Sequence, residues 1–194
     1  MIPGRSAPLL ECSVAELLDR FAAKQPAPGA GAAAAITAGI AAGLLAMAAR
    51  FSTTQLIDSA GRAAHADRVR EQVVALAERD VEAYQAVLAA FALPREPDPD
   101  VRRRQIRRTL DRASRIPAEI AELASGVAIE AAQIAERGNP NLRGDALTAA
   151  TLAAAAAQAA AELVRINVEL GDLGEDLLER ATHAATVAAC ALKS

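Results

Sequence analysis

The sequence predicts an all-α fold: a single-domain bundle of about six or seven helices, covering residues 1–194, that forms a dimer. Three observations lead to this prediction. Alanine, the best helix former and a poor strand former, accounts for 52 of the 194 residues. Apolar residues recur at intervals of three and four, and no alternating pattern typical of strands occurs. Glycine and proline cluster between the periodic segments, where helices are expected to end.

Local signals set the bounds of each element in turn. Ser13 and Glu16 form a capping box, Gly138 follows a helix as its C′ residue, and Asp145 is placed to cap the next helix. The proline-rich stretch 94–100 is predicted to be a loop, and Pro117 to separate two helices. The predicted helices cover residues 13–24, a segment after 31 that ends near 50, 58–92, 100–117, 118–137, 145–170 and a segment after 174 that ends at 192.

Small residues have a spacing of their own in the second helix. Gly31, Ala35, Gly39 and Gly43 lie four residues apart on one face, which lets another helix backbone approach closely. The uncharged run 146–161 repeats this pattern. Together the two segments predict a tight bundle that also buries one face against a second copy of the chain.

Composition excludes several classes of protein. A 53% hydrophobic content with mixed charge argues against disorder, and two cysteines cannot form a disulfide framework. Only 2% of the residues are aromatic and the net charge is −3, so no nucleic-acid partner is expected. The uncharged stretch 26–49 is long enough to span a membrane, but its alanine and glycine content favours a buried helix of a soluble oligomer. No signal peptide is recognised, and the expected location is the cytoplasm.

Asp80 is the most informative polar residue. It interrupts the apolar stripe of the third helix, between Ala77 and Tyr84, so its carboxylate is predicted to be buried. A buried carboxylate must be paired, hydrogen-bonded or protonated, and each condition can tune it for proton transfer. The alternative is a surface ion pair between Asp80 and Arg79.

Other candidates are weaker. Gly29 and Gly31 open a helix with accessible backbone N–H groups, an arrangement that suits an anion or a carbonyl, although a plain packed turn explains it as well. Asn167 interrupts a second apolar stripe and is either a ligand-binding or a structural amide. Turn and cap chemistry accounts for the cluster Asn139, Asn141 and Asp145. The arginine run 102–108 is typical of a solvated helix face that can also steer an anion. No cluster has metal-ligand spacing.

Taken in order, short motifs along nearly the whole chain resemble the C-terminal domain of the formiminotransferase-cyclodeaminase family, which includes formiminotetrahydrofolate cyclodeaminases and methenyltetrahydrofolate cyclohydrolases. These motifs are Ser-Val-x-Glu-Leu-Leu-Asp at 13–19, Pro-Ala-Pro-Gly-x-Gly at 26–31, Asp-x-x-Ala-Tyr at 80–84, Leu-Pro at 93–94, Ile-Pro at 116–117, Gly-Asn-x-Asn at 138–141 with Asp145, and Val-Arg-Ile-Asn at 164–167.

The resemblance implies a helical dimer that binds a tetrahydrofolate derivative as substrate and needs no metal or redox cofactor. It would hydrolyse 5,10-methenyltetrahydrofolate to 10-formyltetrahydrofolate, favoured slightly because no transferase segment accompanies the chain, or cyclise 5-formiminotetrahydrofolate with loss of ammonia. Asp80 would be the catalytic residue, and the arginine run would attract the glutamate tail. Substrate-binding positions would be Pro28, Gly29, Gly31, Tyr84, Asn139, Asn141, Asp145 and Asn167. The alternative is a degenerate helical dimer that binds a ligand or partner without turnover.

Four positions depart from the family pattern. Ala30 and Ala32 stand where the family usually has glycine and serine, in Pro-Gly-Gly-Gly-Ser. Leu163 replaces an asparagine, and Gly144 replaces a serine before Asp145. In addition, a lysine is common in the family shortly after the second helix, where this chain has Gln55 and Ile57. Each change removes a polar or flexible residue from the expected site.

Overall fold

The computed structural model describes residues 8–96 and 98–193. Within these ranges the chain is helical without any strand, which confirms the predicted all-α class. The α-helices are α1 (Val14–Ala22), α2 (Ala30–Arg50), α3 (Ser59–Phe91), α4 (Pro99–Arg137), α5 (Arg143–Gly171) and α6 (Asp176–Ala191), and two 3-10 turns span Leu9–Glu11 and Pro140–Leu142. Residues 1–7, part of the segment on which the signal-peptide expectation depends, and Pro97 of the predicted loop lie outside the described residues.

Helices α2, α3, α4 and α5 form a four-helix bundle, and α6 packs against α4 and α5 on its outside. Helix α2 contacts α3 and α5 extensively and α4 to a smaller extent. Helices α3 and α5 run antiparallel to α2. Gly31, near the start of α2, meets Asp80, two-thirds of the way along α3, whereas Ser52, just after α2, bonds to Asn139, just before α5. One side of α2 is therefore left without a neighbouring helix of its own chain.

The face of α2 that carries the glycines spaced four residues apart packs against α3. A Cβ atom at Gly39 would lie 2.4 Å from a methyl carbon of Val74, and one at Gly31 would lie 2.0 Å from the carboxylate of Asp80. At Gly43 the nearest atom, in Arg70, would be 3.8 Å away. The close approach predicted from the fourfold spacing is thus used inside the chain, between α2 and α3.

Helix α4 is continuous over 39 residues, so the predicted break at Pro117 is wrong. Proline in a helix interior costs about 3 kcal/mol because it removes one hydrogen bond and crowds the preceding turn. The proline and its neighbours in the helix are buried, namely Ile116, Pro117 and Ile120. Full burial of one such aliphatic side chain contributes about 1.5–3 kcal/mol, so packing along the uninterrupted helix outweighs the local cost.

The start of α5 also differs from expectation. The helix begins at Arg143, and Asp145 lies in its first turn instead of capping it. The 3-10 turn Pro140–Leu142 leads directly into α5, and the side chain of Asn139 caps that turn by accepting a hydrogen bond from the Asn141 N–H. Gly138 ends α4 in an extended conformation. A Cβ there would lie 2.7 Å from Ser52 Oγ, so the position has no room for a larger residue.

Two helical segments have the length and composition to cross a membrane, Ala30–Arg50 and Pro140–Gly171. Both belong to the bundle, with 61% and 50% of their most apolar windows buried inside the chain. A core helix of a bundle passes the same test of length and hydropathy, as expected for the uncharged stretch 26–49.

Candidate active site

A cavity of about 450 Å³ lies over the N-terminus of α2. It exists because α2 has only 21 residues, whereas the neighbouring α3 and α4 have 33 and 39 and continue past its first turn. The loop before α2 and the first turn of this helix form the floor, and α3, α4 and α5 form the walls. The lining residues are Pro26, Ala27, Gly29, Ala30, Gly31, Asp80, Val81, Ala83, Tyr84, Val87, Leu88, Phe91, Leu110, Ala113, Pro117, Leu163, Ile166, Asn167 and Leu170.

Asp80 reaches this cavity from α3 and lies against the start of α2. Its Oδ2 accepts a hydrogen bond of 3.1 Å from the Ala32 N–H. The carboxylate occupies the space that a side chain at Gly31 would need. Two features of α2 therefore hold Asp80: an unpaired N–H of the first turn, where the helix dipole favours an anion, and a glycine that lets the carboxylate approach.

Burial raises the pKa of Asp80 above its usual value of 3.8, and the hydrogen bond from the Ala32 N–H opposes this rise. The expected alternative, a surface ion pair with Arg79, does not form, because Arg79 pairs with Glu119 at 3.5 Å. Within residues 8–96 and 98–193, no basic side chain lines the cavity around Asp80. Among the described residues the partly desolvated carboxylate thus has no cationic partner, and a carboxyl group with a raised pKa is suited to proton transfer.

Tyr84 and Asn167 are the other polar side chains of the lining. Tyr84 lies one turn after Asp80 on α3 and is 43% exposed. Asn167 projects from α5 and is half-buried. Neither the phenol nor the carboxamide has a hydrogen bond to the described residues. Both remain available to donate to, or accept from, a ligand that enters the cavity.

Aliphatic and aromatic side chains make up most of the remaining walls. Several of them are exposed at the mouth, including Leu88 and Phe91 on α3 and Ile166 and Leu170 on α5. The sequence indicates apolar stripes on these helices but gives no sign that they extend beyond the end of α2 and border a cavity. Pro117, expected to break a helix, forms part of the wall instead.

The structure brings together five of the predicted site residues: Gly29, Gly31, Asp80, Tyr84 and Asn167. Pro28 lies in the same loop, between lining residues, but does not itself line the cavity.

Asn139, Asn141 and Asp145 do not line this cavity, and their role in substrate binding stays a prediction. Asn139 binds the far end of α2: its N–H donates to Ser52 Oγ at 2.9 Å, and its Nδ2 donates to the Phe51 carbonyl at 2.9 Å. At 1.5 Å per residue, the length of α2 separates this end from the cavity by about 30 Å.

The arginine run 102–108 does not line the cavity. Arg102 donates to the carbonyl oxygens of Phe91 and Leu93 at 2.8 and 2.9 Å, and so caps the C-terminus of α3. Arg103 pairs with Asp100 at 3.4 Å on the surface. The binding of a glutamate tail by this run stays a prediction.

Among the described residues, no group of three or more His, Cys, Asp or Glu side chains could hold a metal ion. The fold and the cavity thus define a helical-bundle protein whose site chemistry rests on one desolvated carboxylate.

Comparisons with known proteins identify the family. Residues 13–186 match the model of the formiminotransferase-cyclodeaminase family, and the chain belongs to this family. It is 28% identical over 165 residues to a methenyltetrahydrofolate cyclohydrolase from Methylorubrum extorquens, covering 81% of this chain and 79% of the relative. The fold is similar to that of formiminotetrahydrofolate cyclodeaminase from Thermotoga maritima, with a TM-score of 0.84, 23% identity, and coverage of 96% of this chain and 94% of that one. The resemblance read from the motifs is confirmed.

Proposed function

We propose that this chain is a cytoplasmic, homodimeric enzyme of one-carbon tetrahydrofolate metabolism. It hydrolyses 5,10-methenyltetrahydrofolate to 10-formyltetrahydrofolate, or it cyclises 5-formiminotetrahydrofolate to the methenyl compound with release of ammonia. The observation that carries the proposal is the carboxylate of Asp80, desolvated in a largely apolar cavity without a basic side chain. Family membership and the name of the cyclohydrolase relative support the same chemistry.

Both reactions take place at a carbon between two nitrogens in a cationic amidinium group. A carboxylate with no competing cation stabilises that positive charge strongly, because the surrounding walls exclude water. Binding of the cation also favours the ionised form of Asp80 and so offsets the rise in its pKa. The cavity is therefore suited to a flat, cationic one-carbon group on an otherwise apolar ring system.

In the hydrolysis, water adds to the methenyl carbon and Asp80 accepts the proton that the water loses. The neutral tetrahedral intermediate then breaks its bond to N5: Asp80 returns the proton to that nitrogen, the hydroxyl proton leaves to solvent, and the formyl C=O forms, so one proton is released overall. In the cyclisation, N10 attacks the formimino carbon, Asp80 accepts the N10 proton, and the same proton goes to the departing amine to give ammonia. One acid-base group serves both steps of either reaction. Tyr84 and Asn167 bind the polar edges of the substrate.

The experiment is a spectroscopic assay of the purified protein with each substrate. Loss of the methenyl chromophore faster than in buffer identifies the hydrolase, and its appearance from the formimino compound identifies the cyclodeaminase. Asp80→Asn should lower kcat by about 10²–10⁴-fold, the usual contribution of a general acid-base group. The amide oxygen still accepts from the Ala32 N–H, so the fold should persist. Asp19→Asn, at an exposed position of α1, is the matched control and should leave kcat unchanged.

If neither substrate is turned over faster than in buffer, the proposal is refuted, and a binding protein of the same fold is the remaining interpretation. Tight binding of the methenyl compound without turnover, measured by calorimetry, would establish that alternative.

A further inference from the structure

A second cavity, of about 230 Å³, lies between α3 and α4 and shares no lining residue with the Asp80 cavity. On α3 its lining residues precede Asp80 by 8 to 15 positions, which is about 12–22 Å along the helix. The two cavities are therefore separate. The second one is lined by Leu45, His65, Ala66, Val69, Gln72, Glu122, Leu123, Gly126, Val127 and Glu130.

The floor of this second cavity is aliphatic, and its edge is polar. Leu45 of α2 is 1% exposed at the bottom, and Val69 and Val127 are buried beside it. Neither Lys nor Arg occurs among the lining residues of the described chain. An occupant must therefore be apolar on one side and must meet carboxylates on the other. The polar lining side chains are His65, Gln72, Glu122 and Glu130.

Glu130 is the lining carboxylate that the chain leaves without a partner. Its Oε2 is shielded from solvent and has no hydrogen bond to any residue in 8–96 or 98–193, and no other side-chain N or O atom in these ranges is in this state. The basic groups of the region bind elsewhere: Arg180 pairs with Glu122 at 2.7 Å, and Arg62 donates to Gln133 at 2.9 Å. Because a carboxylate withdrawn from water without a partner is costly, a cation in the cavity would be bound favourably.

Gly126 keeps the cavity open between the two glutamates. It lies one helical turn after Glu122 and one turn before Glu130, so the three positions share one face of α4. A Cβ at Gly126 would meet no atom within 4 Å, so helix packing does not require a glycine here, in contrast to Gly31. Glycine is less favourable than alanine in the interior of a helix. Its presence at 126 is explained if a ligand occupies the space in front of it.

We propose that this cavity binds a primary aliphatic amine in its ammonium form. The ammonium group donates to Glu130, and the alkyl chain lies on Leu45, Val69 and Val127. An ammonium group is compact and has three donors, which suits a carboxylate reached from one side. The volume is below the roughly 300–1,000 Å³ of pockets for drug-sized ligands, so the amine has only a few carbons.

Other classes of ligand fit less well. An anion would be repelled by Glu122 and Glu130, and a neutral apolar molecule would bury Glu130 further without giving it a partner. A metal ion needs several ligands at once, and among the described residues no group of three His, Cys, Asp or Glu side chains could hold one. A short alkylammonium ion matches both the carboxylate and the aliphatic floor.

The charge requirement is tested with two probes of the same shape, n-butylamine, which is protonated at neutral pH, and n-butanol. Titrations followed by the amide shifts of the isotope-labelled chain should show saturable binding of the amine, with a Kd at least tenfold lower than that of the alcohol. Glu130→Gln should weaken binding of the amine about tenfold or more, because the hydrogen bond to a charged group is lost. The matched control is Glu119→Gln, an exposed carboxylate of α4 outside the cavity, which should bind the amine like the unmodified chain.

The location is tested with Gly126→Leu, which should fill the cavity and abolish binding while far-UV circular dichroism remains helical. Gly61→Leu is the matched control, since a Cβ at Gly61 also meets no atom within 4 Å but the residue lies outside the cavity. It should leave the Kd unchanged.

Three results would overturn the amine site: no saturable binding by the unmodified chain, equal affinity for n-butylamine and n-butanol, or unchanged binding in Glu130→Gln or Gly126→Leu. No folate is present in these titrations, so their outcome does not depend on the proposed function.

Discussion

Substitution of Gly31 by alanine tests whether the position of Asp80 controls the chemistry. The new Cβ would lie 2.0 Å from Asp80 Oδ1, 2.3 Å from Cγ and 2.6 Å from Oδ2. Since Cβ atoms in proteins essentially never approach another heavy atom within 3.0 Å, the carboxylate must retreat by about 1 Å or more. The hydrogen bond from the Ala32 N–H, now 3.1 Å, would then be stretched or lost.

The expected magnitudes follow from this displacement. Misplacing a catalytic group by about 1 Å lowers the rate by roughly 10²-fold, which corresponds to about 2.7 kcal/mol in the activation free energy. Loss of a hydrogen bond to a charged group costs about 1.5–3 kcal/mol of stability. Alanine has a higher helix propensity than glycine, which adds up to about 1 kcal/mol to the free energy of unfolding. Gly31→Ala should thus lose roughly 0.5–3 kcal/mol of unfolding free energy and about 10²-fold in kcat.

The assay compares kcat, from the methenyl chromophore, with the free energy of unfolding in urea. Two glycines of α2 provide matched controls. Gly43→Ala meets its nearest atom at 3.8 Å and should be neutral or slightly stabilising, with kcat unchanged. Gly39→Ala meets a methyl group of Val74 at 2.4 Å, so it should lose stability while kcat stays near that of the unmodified chain. If Gly31→Ala keeps full kcat, or if Gly39→Ala loses as much kcat, the position of Asp80 does not control the reaction.

Two further predictions concern pH and the far end of α2. Because burial raises the pKa of Asp80, kcat/KM should fall with decreasing pH at an apparent pKa above 3.8, and a fall centred at or below 3.8 would contradict its role as the base. Because the pKa of Asp80 is higher in the folded state, this residue favours folding most at low pH, and its contribution is lost as pH rises through the folded pKa. Asparagine at this position does not titrate. In urea titrations, the stability of Asp80→Asn relative to the unmodified chain should therefore increase between pH 4 and pH 7. Ser52→Ala removes the acceptor of the half-buried Asn139 N–H and should cost about 1–3 kcal/mol of unfolding free energy. Loss of the exposed hydroxyl in Thr148→Ala should change it by less than about 0.5 kcal/mol. Equal effects of the two would refute the importance of the Ser52 bond.

The elements that could be predicted from the sequence are those set by neighbouring residues. The capping box of Ser13 and Glu16 forms as expected, because both of its hydrogen bonds lie within four residues of chain. The continuity of α4 through Pro117 could not be predicted in this way. The cost of the proline is local and visible in the sequence, whereas the burial that offsets it comes from helices far away in the chain.

The site shows the same division. The helical spacing of apolar residues in α3 is enough to place Asp80 on the inward face of the helix, and the structure places its side chain in the cavity. That Gly31 makes room for this carboxylate could not be read from either segment, because it depends on the register between α2 and α3. Asn139 shows the same limit. Its motif is correctly placed in a turn, but the partner of that turn, the C-terminus of α2, is set by the packing of the bundle.

The departures from the family pattern at 30, 32 and 163 act on different parts of the cavity. Ala32 is fully buried, and it acts on Asp80 through its N–H, which every residue except proline has. The loss of a serine hydroxyl there leaves this bond intact. Ala30 favours the first turn of α2 more than glycine does, and Leu163 gives the cavity an apolar wall where the family usually has an asparagine. These changes remove polar groups around Asp80 without removing the groups that hold it. Among the described residues, the proposed stabilisation of a cationic carbon therefore depends on the Asp80 carboxylate alone.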